Sequence, residues 1–181
     1  MRIIGGKHHR RIVHPPPGLP VRPTTDKAKE ALFNILNQRV DFEGIRVLDL
    51  FAGTGAISYE FASRGATEVV SVEINSKCCR FINKVKSELG FEQLTCLKMD
   101  AMRYLRNSPG GFDLVFADPP YQMTGIEELP GKVLDSQVLA KEGVLILEHG
   151  PGVSFSAHPH LLETRKYSKV HFSFFEPNDG D

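Results

Sequence analysis

The chain has 181 residues, of which 41% are hydrophobic and 24% are charged, as is typical of a single globular domain with a buried core. No run approaches the roughly 20 apolar residues of a membrane span, and no apolar stretch follows the basic start as it would in a secretory signal. We therefore expect a cytoplasmic protein without a membrane segment, and a monomer.

The cysteines and histidines do not suggest a metal site. Cys78, Cys79 and Cys96 are odd in number and lack zinc-ligand spacing, which argues against a disulfide framework and against a structural zinc. We interpret them as reduced, partly buried thiols. His158 and His160 have no acid or thiol placed to join them, so no metal is predicted.

Charge is unevenly distributed although the net charge is zero. Residues 1–30 contain seven Lys or Arg and two acids, a local charge of +5, so the rest of the chain carries −5. A basic end on an acidic body suggests contact with a polyanion. A solvated N-terminal arm would explain the same charge pattern.

The N-terminal part predicts a hairpin, a connector and a helix. Two short β-prone pieces within residues 2–13 flank Gly5-Gly6 and a basic turn, which is typical of a small hairpin. Residues 14–23 hold five of the twelve prolines and predict an extended connector. A helix follows, with Thr25 or Asp26 as its cap. Its apolar stripe consists of Ala28, Ala31, Leu32, Ile35 and Leu36.

From residue 46 onward, strand-like runs alternate with helical segments. Strands are predicted at 46–50, 68–72, 94–99, 112–117 and 144–147, and helices at 56–64, 76–89, 101–106 and 127–139. All of these strands except the third are nearly all-apolar, as expected for parallel strands covered on both faces. The alternation predicts a doubly wound, mostly parallel α/β sheet.

The C-terminal pattern is different. Segments 161–167 and 170–175 are separated by only Ser168 and Lys169, which requires antiparallel pairing. We therefore expect a seven-stranded sheet with a C-terminal hairpin at its edge. The predicted organisation is a basic hairpin and connector at 1–23, the main domain at 24–176 and a flexible tail at 177–181.

A first candidate site follows the first predicted strand, which runs into Phe51-Ala52-Gly53-Thr54-Gly55 and then a helix. Glycines there let the backbone bend and approach a ligand beside a helix N-terminus. Glu73 and Asp100 end the next two predicted strands, where they could reach ribose hydroxyls and an adenine edge. Two glycines alone would be weak evidence, but the acids at the same edge of the sheet favour a cofactor site.

Asp49 indicates which cofactor this site would bind. A dinucleotide site continues as G-x-G-x-x-G beneath a pyrophosphate, but Ser58 stands at the sixth position here. Asp49 lies in the strand just before the loop. Phosphate disfavours a nearby carboxylate, whereas an amino-acid ammonium group is attracted to it. The pattern therefore favours S-adenosylmethionine (SAM) over NAD.

A second candidate site, Asp118-Pro119-Pro120-Tyr121, follows the fourth predicted strand and so opens onto the same edge. The prolines remove backbone donors and fix a rigid turn. The Asp118 carboxylate and the Pro119 carbonyl can accept both hydrogens of one exocyclic amino group, while Tyr121 can stack on a base. Such a clamp would orient a poorly nucleophilic amino nitrogen towards the methyl group of SAM.

With these motifs the sequence resembles class I SAM-dependent methyltransferases. Residues 49–55 match motif I, and residues 118–121 match the (D/N)PP(Y/F) signature of amino-directed methylation. More narrowly, it resembles the bacterial 16S rRNA guanine-N2 methyltransferase family. The likeness spans nearly the whole chain through MRIIGGKHHRR, VRPTTDKAKEALFNIL, VLDLFAGTGAISYE, VEIN, DPPY and RKYSKVHFSFF. Ser168, where a glycine is usual, and His8-His9 in the first basic turn depart from the pattern and concern local RNA contacts only.

The resemblance implies roles for individual residues. The residues expected to contact SAM are Thr24, Asp49, Phe51, Ala52, Gly53, Gly55, Glu73, Ile74, Asp100 and Ala101. Catalysis is expected from Asp118, Pro119, Pro120 and Tyr121. The partner would be 16S rRNA, alone or in a small ribosomal subunit, held by Arg2, Lys7, Arg10, Arg11 and Arg22.

Several alternatives use parts of the same pattern. A DNA adenine-N6 methyltransferase shares the tetrad, but little of this chain lies outside the predicted sheet to read a DNA sequence. A protein glutamine methyltransferase would more naturally carry Asn at position 118. Cytosine-C5 methylation needs a nucleophilic cysteine near residues 118–121, where none stands. A SAM-binding module without catalysis, acting in ribosome assembly, also stays open.

Overall fold

The computed structural model describes residues 1–20, 25–107 and 110–177. The strands in these ranges are β1 Arg46–Leu50, β2 Glu68–Glu73, β3 Leu94–Lys98, β4 Phe112–Ala117, β5 Leu139–His149, β6 Leu161–Tyr167 and β7 Val170–Phe175. The α-helices are α1 Asp26–Leu36, α2 Ala56–Arg64, α3 Ser76–Leu89, α4 Ala101–Asn107 and α5 Leu129–Asp135. Within the described ranges, no helix has the length and apolar character needed to cross a bilayer.

The strands form a single seven-stranded sheet in the order β3-β2-β1-β4-β5-β7-β6. The first five strands in this order are parallel, and β7 pairs antiparallel with both β5 and β6. The predicted α/β class, the mostly parallel sheet and the C-terminal hairpin are therefore confirmed. Since parallel strands end on the same side, the carboxyl ends of β1 to β5 form one edge of the sheet, which we call the carboxyl edge.

Helices cover both faces of the sheet, as the all-apolar strands require. Residues of β1 alternate between two cores: Val47 packs with α1, α2 and α3, and Leu48 packs with α4 and α5. The third strand, β3, lies at the edge of the sheet and is only partly buried. Its position explains why its sequence is less apolar than that of the central strands.

The segment before β5 differs from the prediction of a helix over 127–139. A 3₁₀ turn at Ile126–Glu128 leads into α5, which ends at Asp135, and Gln137 adopts a positive φ of 60°. Leu139 instead begins β5, pairing with Phe112 at the start of β4. The helical prediction was wrong here because an apolar pair such as Val138-Leu139 suits either a helix or a strand, and pairing with β4 selects the strand.

The N-terminal segment is antiparallel, but it is not a hairpin of two strands. A single bridge joins Arg2 to Ile12, and a 3₁₀ turn spans Gly6–His8. Ile3 N–H donates to Arg11 O at 2.9 Å, and Val13 N–H donates to Met1 O at 2.9 Å. The expected chain reversal is present, whereas the expected strands are reduced to this bridge.

Candidate active site and nucleic-acid interface

The loop after β1 is held in shape by the end of β2. Phe51 and Gly53 have positive φ angles of 64° and 55°. Ala52 N–H donates to Val72 O at 3.0 Å, and Gly53 N–H donates to the Glu73 carboxylate at 2.8 Å. The second Glu73 oxygen accepts from Asn75 N–H at 2.7 Å. Glu73 is thus fixed by backbone donors, while each of its oxygens keeps a lone pair for a ligand hydroxyl.

Asp49 lies beneath this loop with 1% of its surface exposed. Its carboxylate accepts a 2.5 Å hydrogen bond from Ser58 Oγ, which also lies 2.7 Å from Ser71 Oγ. Burial raises the pKa of Asp49 to about 7; the Ser58 hydrogen bond opposes this rise, and the charges of Asp118 and Glu73 add to it. A cation beside Asp49 would favour its charged form.

Gly55 supports the loop from behind. It caps α2 with a φ of 80°, and a Cβ atom there would lie 2.7 Å from the Tyr59 ring. Gly55 is not among the residues that line the cavity described below. Its Cα faces Tyr59 and Ile82, which gives it a packing role; its contact with the cofactor stays a prediction.

Asp100 follows β3 and caps α4, because its carboxylate accepts from Arg103 N–H at 2.9 Å. It is exposed, so its second oxygen is open to solvent. Ile74, just after β2, is 67% exposed despite being a large aliphatic residue. An apolar side chain and a carboxylate side by side provide a flat surface and an acceptor, which suits an adenine ring.

The Asp118–Tyr121 tetrad begins where β4 ends. Met123 N–H donates to Pro120 O at 2.8 Å and closes the turn. Among the described residues, none donates a hydrogen bond to the Pro119 carbonyl, which keeps that acceptor available. Asp118 is half-buried, and burial raises its pKa. Tyr121 is 66% exposed.

Both predicted sites border one cavity of about 710 Å³, a volume typical of a small-molecule site. The predicted residues that line it are Asp49, Phe51, Ala52, Gly53, Glu73, Ile74, Asp100, Ala101, Asp118, Pro119, Pro120 and Tyr121. Met99 and Met102 also line it and were missed, although they flank Asp100 in the sequence. Thr24 and Arg22 lie outside the described residues.

The lining of the cavity is acidic and apolar. Of the described residues that line it, none is lysine or arginine. A pyrophosphate would be repelled by this set of carboxylates, whereas a ligand with an ammonium or sulfonium group would be attracted. The residues present therefore fit SAM.

Four carboxylates share one face of the sheet near the carboxyl edge, with Asp49 two residues deeper in the sheet than the other three. Ser71, Asp49, Phe116 and Ile146 are in register across β2, β1, β4 and β5. Side chains two residues apart share a face, so Glu73, Asp118 and Glu148 follow on the face that carries Asp49. The order along the edge is Glu73, Asp49, Asp118, Glu148. Glu148 was not predicted, because nothing in its own strand distinguishes it from an ordinary strand end.

The N-terminal segment is fixed to α2. Glu60, which is fully buried, accepts from Ile4 N–H at 2.9 Å and from Gly5 N–H at 2.7 Å. It also pairs with buried Lys29 at 3.4 Å. Gly6 lies so close that a Cβ atom would be 1.8 Å from the Ser63 carbonyl oxygen. The basic turn is therefore held in place, and its predicted RNA contacts are exposed: Arg2, Lys7, Arg10 and Arg11.

A basic groove lies along the connector that follows this turn. Its walls are the Pro-rich connector, from His14 to Leu19, and one face of α3. The α3 face carries Lys77, Arg80 and Lys84, all exposed. Pro20, at the end of the same connector, lines the cavity. The three α3 residues were missed, although their i, i+3, i+7 spacing was visible in the sequence.

The cysteines behave as small buried side chains. Cys78 and Cys79 are buried, Cys96 is partly buried, and all three are free thiols. Burial raises the pKa of each thiol, which makes the reactive thiolate scarce at neutral pH. Within the part of the chain that the structure describes, no group of three or more His, Cys, Asp or Glu could hold a metal ion.

The fold has close relatives among solved structures. An Escherichia coli structure, "Putative methyltransferase yhhF", has a TM-score of 0.84 and 25% sequence identity, with 97% of this chain and 96% of that chain covered. Together with the acidic cavity at the carboxyl edge, this likeness defines a class I methyltransferase.

Sequence comparison gives the family. The family model described as conserved hypothetical protein 95 matches residues 1–176. "Putative rRNA methyltransferase YlbH" of Bacillus subtilis (strain 168) is 36% identical over 156 residues, covering 82% of each chain. "Ribosomal RNA small subunit methyltransferase D" of Escherichia coli (strain K12) is 31% identical over 148 residues, covering 82% of this chain and 74% of that one. The chain belongs to this family of rRNA methyltransferases, and the resemblance inferred from its sequence is confirmed.

Proposed function

We propose that this enzyme transfers the methyl group of SAM to the exocyclic N2 amino group of one guanine in small-subunit rRNA. One observation carries the proposal: Asp118 of the amino-clamping tetrad lines the same cavity as Asp49 and Glu73. The donor and acceptor sites are thus adjacent, as direct transfer requires. The relatives named for methylation of rRNA, and of small-subunit rRNA in particular, support the substrate.

SAM is the cofactor, and it supplies an electrophilic methyl group on a cationic sulfur. Asp49 would hold its ammonium group, Glu73 its ribose hydroxyls and Asp100 its adenine amino group. Ile74 and Ala101 would pack on the adenine. Thr24 remains a predicted contact of the cofactor's carboxylate end.

Asp118 would act on the acceptor nitrogen. Its carboxylate and the Pro119 carbonyl accept the two amino hydrogens, which draws the nitrogen towards tetrahedral geometry, and Tyr121 stacks on the base. Once the nitrogen carries the methyl group it is positively charged, and Asp118 accepts the proton it then loses. The raised pKa of Asp118 suits this role, since it makes the carboxylate a better base.

The basic turn and the basic groove would hold the RNA backbone. They carry exposed Arg10, Arg11, Lys77, Arg80 and Lys84, and the connector that lines the groove leads to Pro20 at the cavity. Residues 1–23 would thus serve RNA contact and residues 24–176 the chemistry. We infer a cytoplasmic monomer without a metal.

The experiment is to incubate the protein with labelled SAM and naked small-subunit rRNA, assembled small subunits or DNA. Digestion to nucleosides and mass spectrometry should give N2-methylguanosine from one of the RNA substrates, and mapping should place it at one position. We expect Asp118→Ala to lower kcat roughly 100- to 1,000-fold with SAM affinity unchanged. The control is Asp113→Ala, an exposed β4 residue that does not line the cavity.

Other products would contradict the proposal in distinct ways. N6-methyladenosine in DNA would indicate the DNA enzyme. SAM binding without methyl transfer to any substrate would indicate a non-catalytic module. Full turnover by Asp118→Ala would remove Asp118 from the mechanism.

A further inference from the structure

Glu148 is a buried carboxyl that neither the fold nor the predicted site uses. It lies near the end of β5, and 5% of its surface is exposed. Among the described residues it makes no hydrogen bond or ion pair, and its Oε2 atom is buried without a partner. The next residue, His149, does have a hydrogen-bond partner, since its Nε2 lies 2.7 Å from Ser173 Oγ. An unpartnered buried carboxyl is costly, so its position indicates a polar partner from outside the chain.

The position of Glu148 shows which ligand that partner belongs to. Ala117 and Leu147 are in register, so Asp118 and Glu148 are neighbours at a strand spacing of about 4.8 Å. Burial raises the pKa of Glu148, and the charge of Asp118 raises it further, as expected for two close carboxyls. Asp118 stands between Glu148 and the cofactor acids Asp49 and Glu73. Glu148 therefore lies on the acceptor side of Asp118. It does not itself line the cavity, so a base would have to reach its carboxyl past Asp118 and the Tyr121 ring.

Tyr121 also reaches towards this strand. A Cβ atom on Gly150, two residues after Glu148, would lie 3.6 Å from Cε1 of the Tyr121 ring. Because the ring is 66% exposed, it can shift when a base enters. A base stacked on Tyr121 would therefore have its edge close to both carboxyls.

The geometry points to Glu148 as a specificity-determining residue that accepts the ring N1–H of guanine while Asp118 holds the adjacent amino group. This inference rests on the proposed function and names the base-reading contact of that site. Guanine offers two neighbouring donors, the N2 amino group and N1–H. Adenine and cytosine place a bare ring nitrogen beside their amino group, and its lone pair is repelled by Glu148 in its ionised form, which prevails above its raised pKa. Two adjacent carboxyls thus select guanine.

The test uses 2-aminopurine, which keeps the amino group at C2 but has a bare N1. Small-subunit rRNA is assembled by ligation with either guanosine or 2-aminopurine riboside at the mapped position, and presented free or in reconstituted subunits, whichever form is methylated. The measured quantity is the ratio of kcat/KM for the two bases at a pH above about 8, where Glu148 is ionised. Wild type should prefer guanine by roughly 100-fold or more, because the analogue leaves a buried acceptor unpaired.

Glu148→Gln should lower that ratio by at least about 10-fold, since an amide can either accept from N1–H or donate to a bare N1. Asp118→Asn should slow both substrates, because both lose the acceptor of their amino hydrogens. It should not lower the ratio, since removing the Asp118 charge favours ionised Glu148. Glu142→Gln, an exposed acid at the other end of β5, is the matched control and should leave both rates unchanged. Thermal unfolding checks that each variant is folded.

The outcomes separate this inference from the proposed function. If wild type methylates guanine N2 and Glu148→Gln keeps the wild-type ratio, the role of Glu148 is overturned and the proposed function stands. If wild type forms no N2-methylguanosine, both are overturned. A lowered ratio in Glu148→Gln, with SAM affinity unchanged, supports the contact to N1–H.

Discussion

Burial and the charge of a bound ligand have opposite effects on the pKa of Asp49. It is enclosed below the glycine loop, and its one strong hydrogen bond comes from a neutral hydroxyl, that of Ser58. Without a cation, burial raises its pKa to about 7. A bound ammonium group would stabilise the carboxylate, so binding of the cofactor should displace a proton at slightly acidic pH.

We expect the affinity for SAM to rise as the pH increases from about 5.5 to 7. Below pH 7 Asp49 is increasingly protonated, and the proton must leave before the ammonium group can bind, so the apparent Kd increases as the pH falls. Isothermal titration in buffers of different ionisation enthalpy measures both the affinity and the released proton. Asp49→Asn should bind more weakly and lose this pH dependence; a variant with the wild-type pH profile would exclude Asp49 as the titrating group.

The sequence pointed to single acids in or just after the predicted strands. Asp49, Glu73, Asp100 and Asp118 were predicted as site residues, and all four border the cavity. Glu148 was not predicted, because its neighbour Asp118 follows a different strand and only the register of β4 with β5 brings the two carboxyls together. Buried Lys29 was missed for a similar reason: its partner Glu60 is on another helix.

Among the elements, α2 links the two predicted binding regions. The cofactor loop leads into its first turn at Gly55, and its last two turns hold the N-terminal segment through Glu60 and Ser63. Lys29 from α1 completes this attachment by donating to Arg2 O. The basic turn therefore depends on a buried ion pair between two helices.

The Lys29–Glu60 pair gives a testable stability prediction. Glu60→Gln should lower the free energy of unfolding by about 3–5 kcal/mol, because it leaves the Lys29 ammonium buried without a counter-charge. The double variant Lys29→Met/Glu60→Gln should recover part of this loss, since it removes the unpaired Lys29 charge. Arg64, which also pairs with Glu60 at 2.9 Å, keeps its charge in both the single and the double variant. Urea unfolding of the four proteins in the cycle measures both effects. Equal losses in the single and double variants would contradict the pairing.

The basic surface gives a prediction about RNA. Replacing Arg10 and Arg11 by alanine, or Lys77 and Arg80, should weaken RNA binding and reduce the slope of log K against log salt by roughly 1 to 2, since each lost phosphate contact releases about one counterion fewer. Filter binding at several salt concentrations measures the slope. Lys141→Ala is the control, an exposed lysine near the start of β5, away from the carboxyl edge. If the slope did not change for one of these double variants, the two replaced residues would make no contact with the RNA phosphates.

Element predictions succeeded where an apolar run was bounded by a glycine or a charge. β1, β4, α2 and α3 have the predicted bounds. The prediction failed before β5, where pairing with β4 overrides a weak helical pattern, and it overstated the strands of the N-terminal segment. That segment is shaped by Glu60 and Ser63 on α2, more than fifty residues away in the sequence.

At the scale of the whole molecule, the fold concentrates buried acids along one edge of its sheet. Burial raises the pKa values of Asp49, Asp118 and Glu148 above those of an unfolded chain. A carboxyl with a raised pKa favours the folded state below its unfolded pKa, and this contribution is lost as the pH rises through the folded pKa. These three residues should therefore destabilise the free protein progressively between about pH 5 and 8.

Thermal unfolding should show this directly. The Tm of wild type should fall by several degrees more between pH 5 and 8 than that of Asp49→Asn/Asp118→Asn/Glu148→Gln, because in a chain of this size about 1 kcal/mol corresponds to about 2–4 °C. The other titratable groups are the same in both proteins, so their effect on Tm cancels when the two changes in Tm are subtracted. Saturating SAM should restore more of the wild-type Tm at pH 8 than at pH 5. If the Tm of the two proteins changed equally between pH 5 and 8, these acids would not contribute to the pH dependence of stability.

The attachment of both binding regions to α2 has a mechanical consequence. The helix has nine residues and a length of about 13 Å, so its two ends move together. RNA bound to the N-terminal turn and a nucleoside bound to the loop would both contact segments attached to α2, at its opposite ends. Occupancy of one end should then slow amide hydrogen exchange at the other, even though the two ligands meet only at the methyl group.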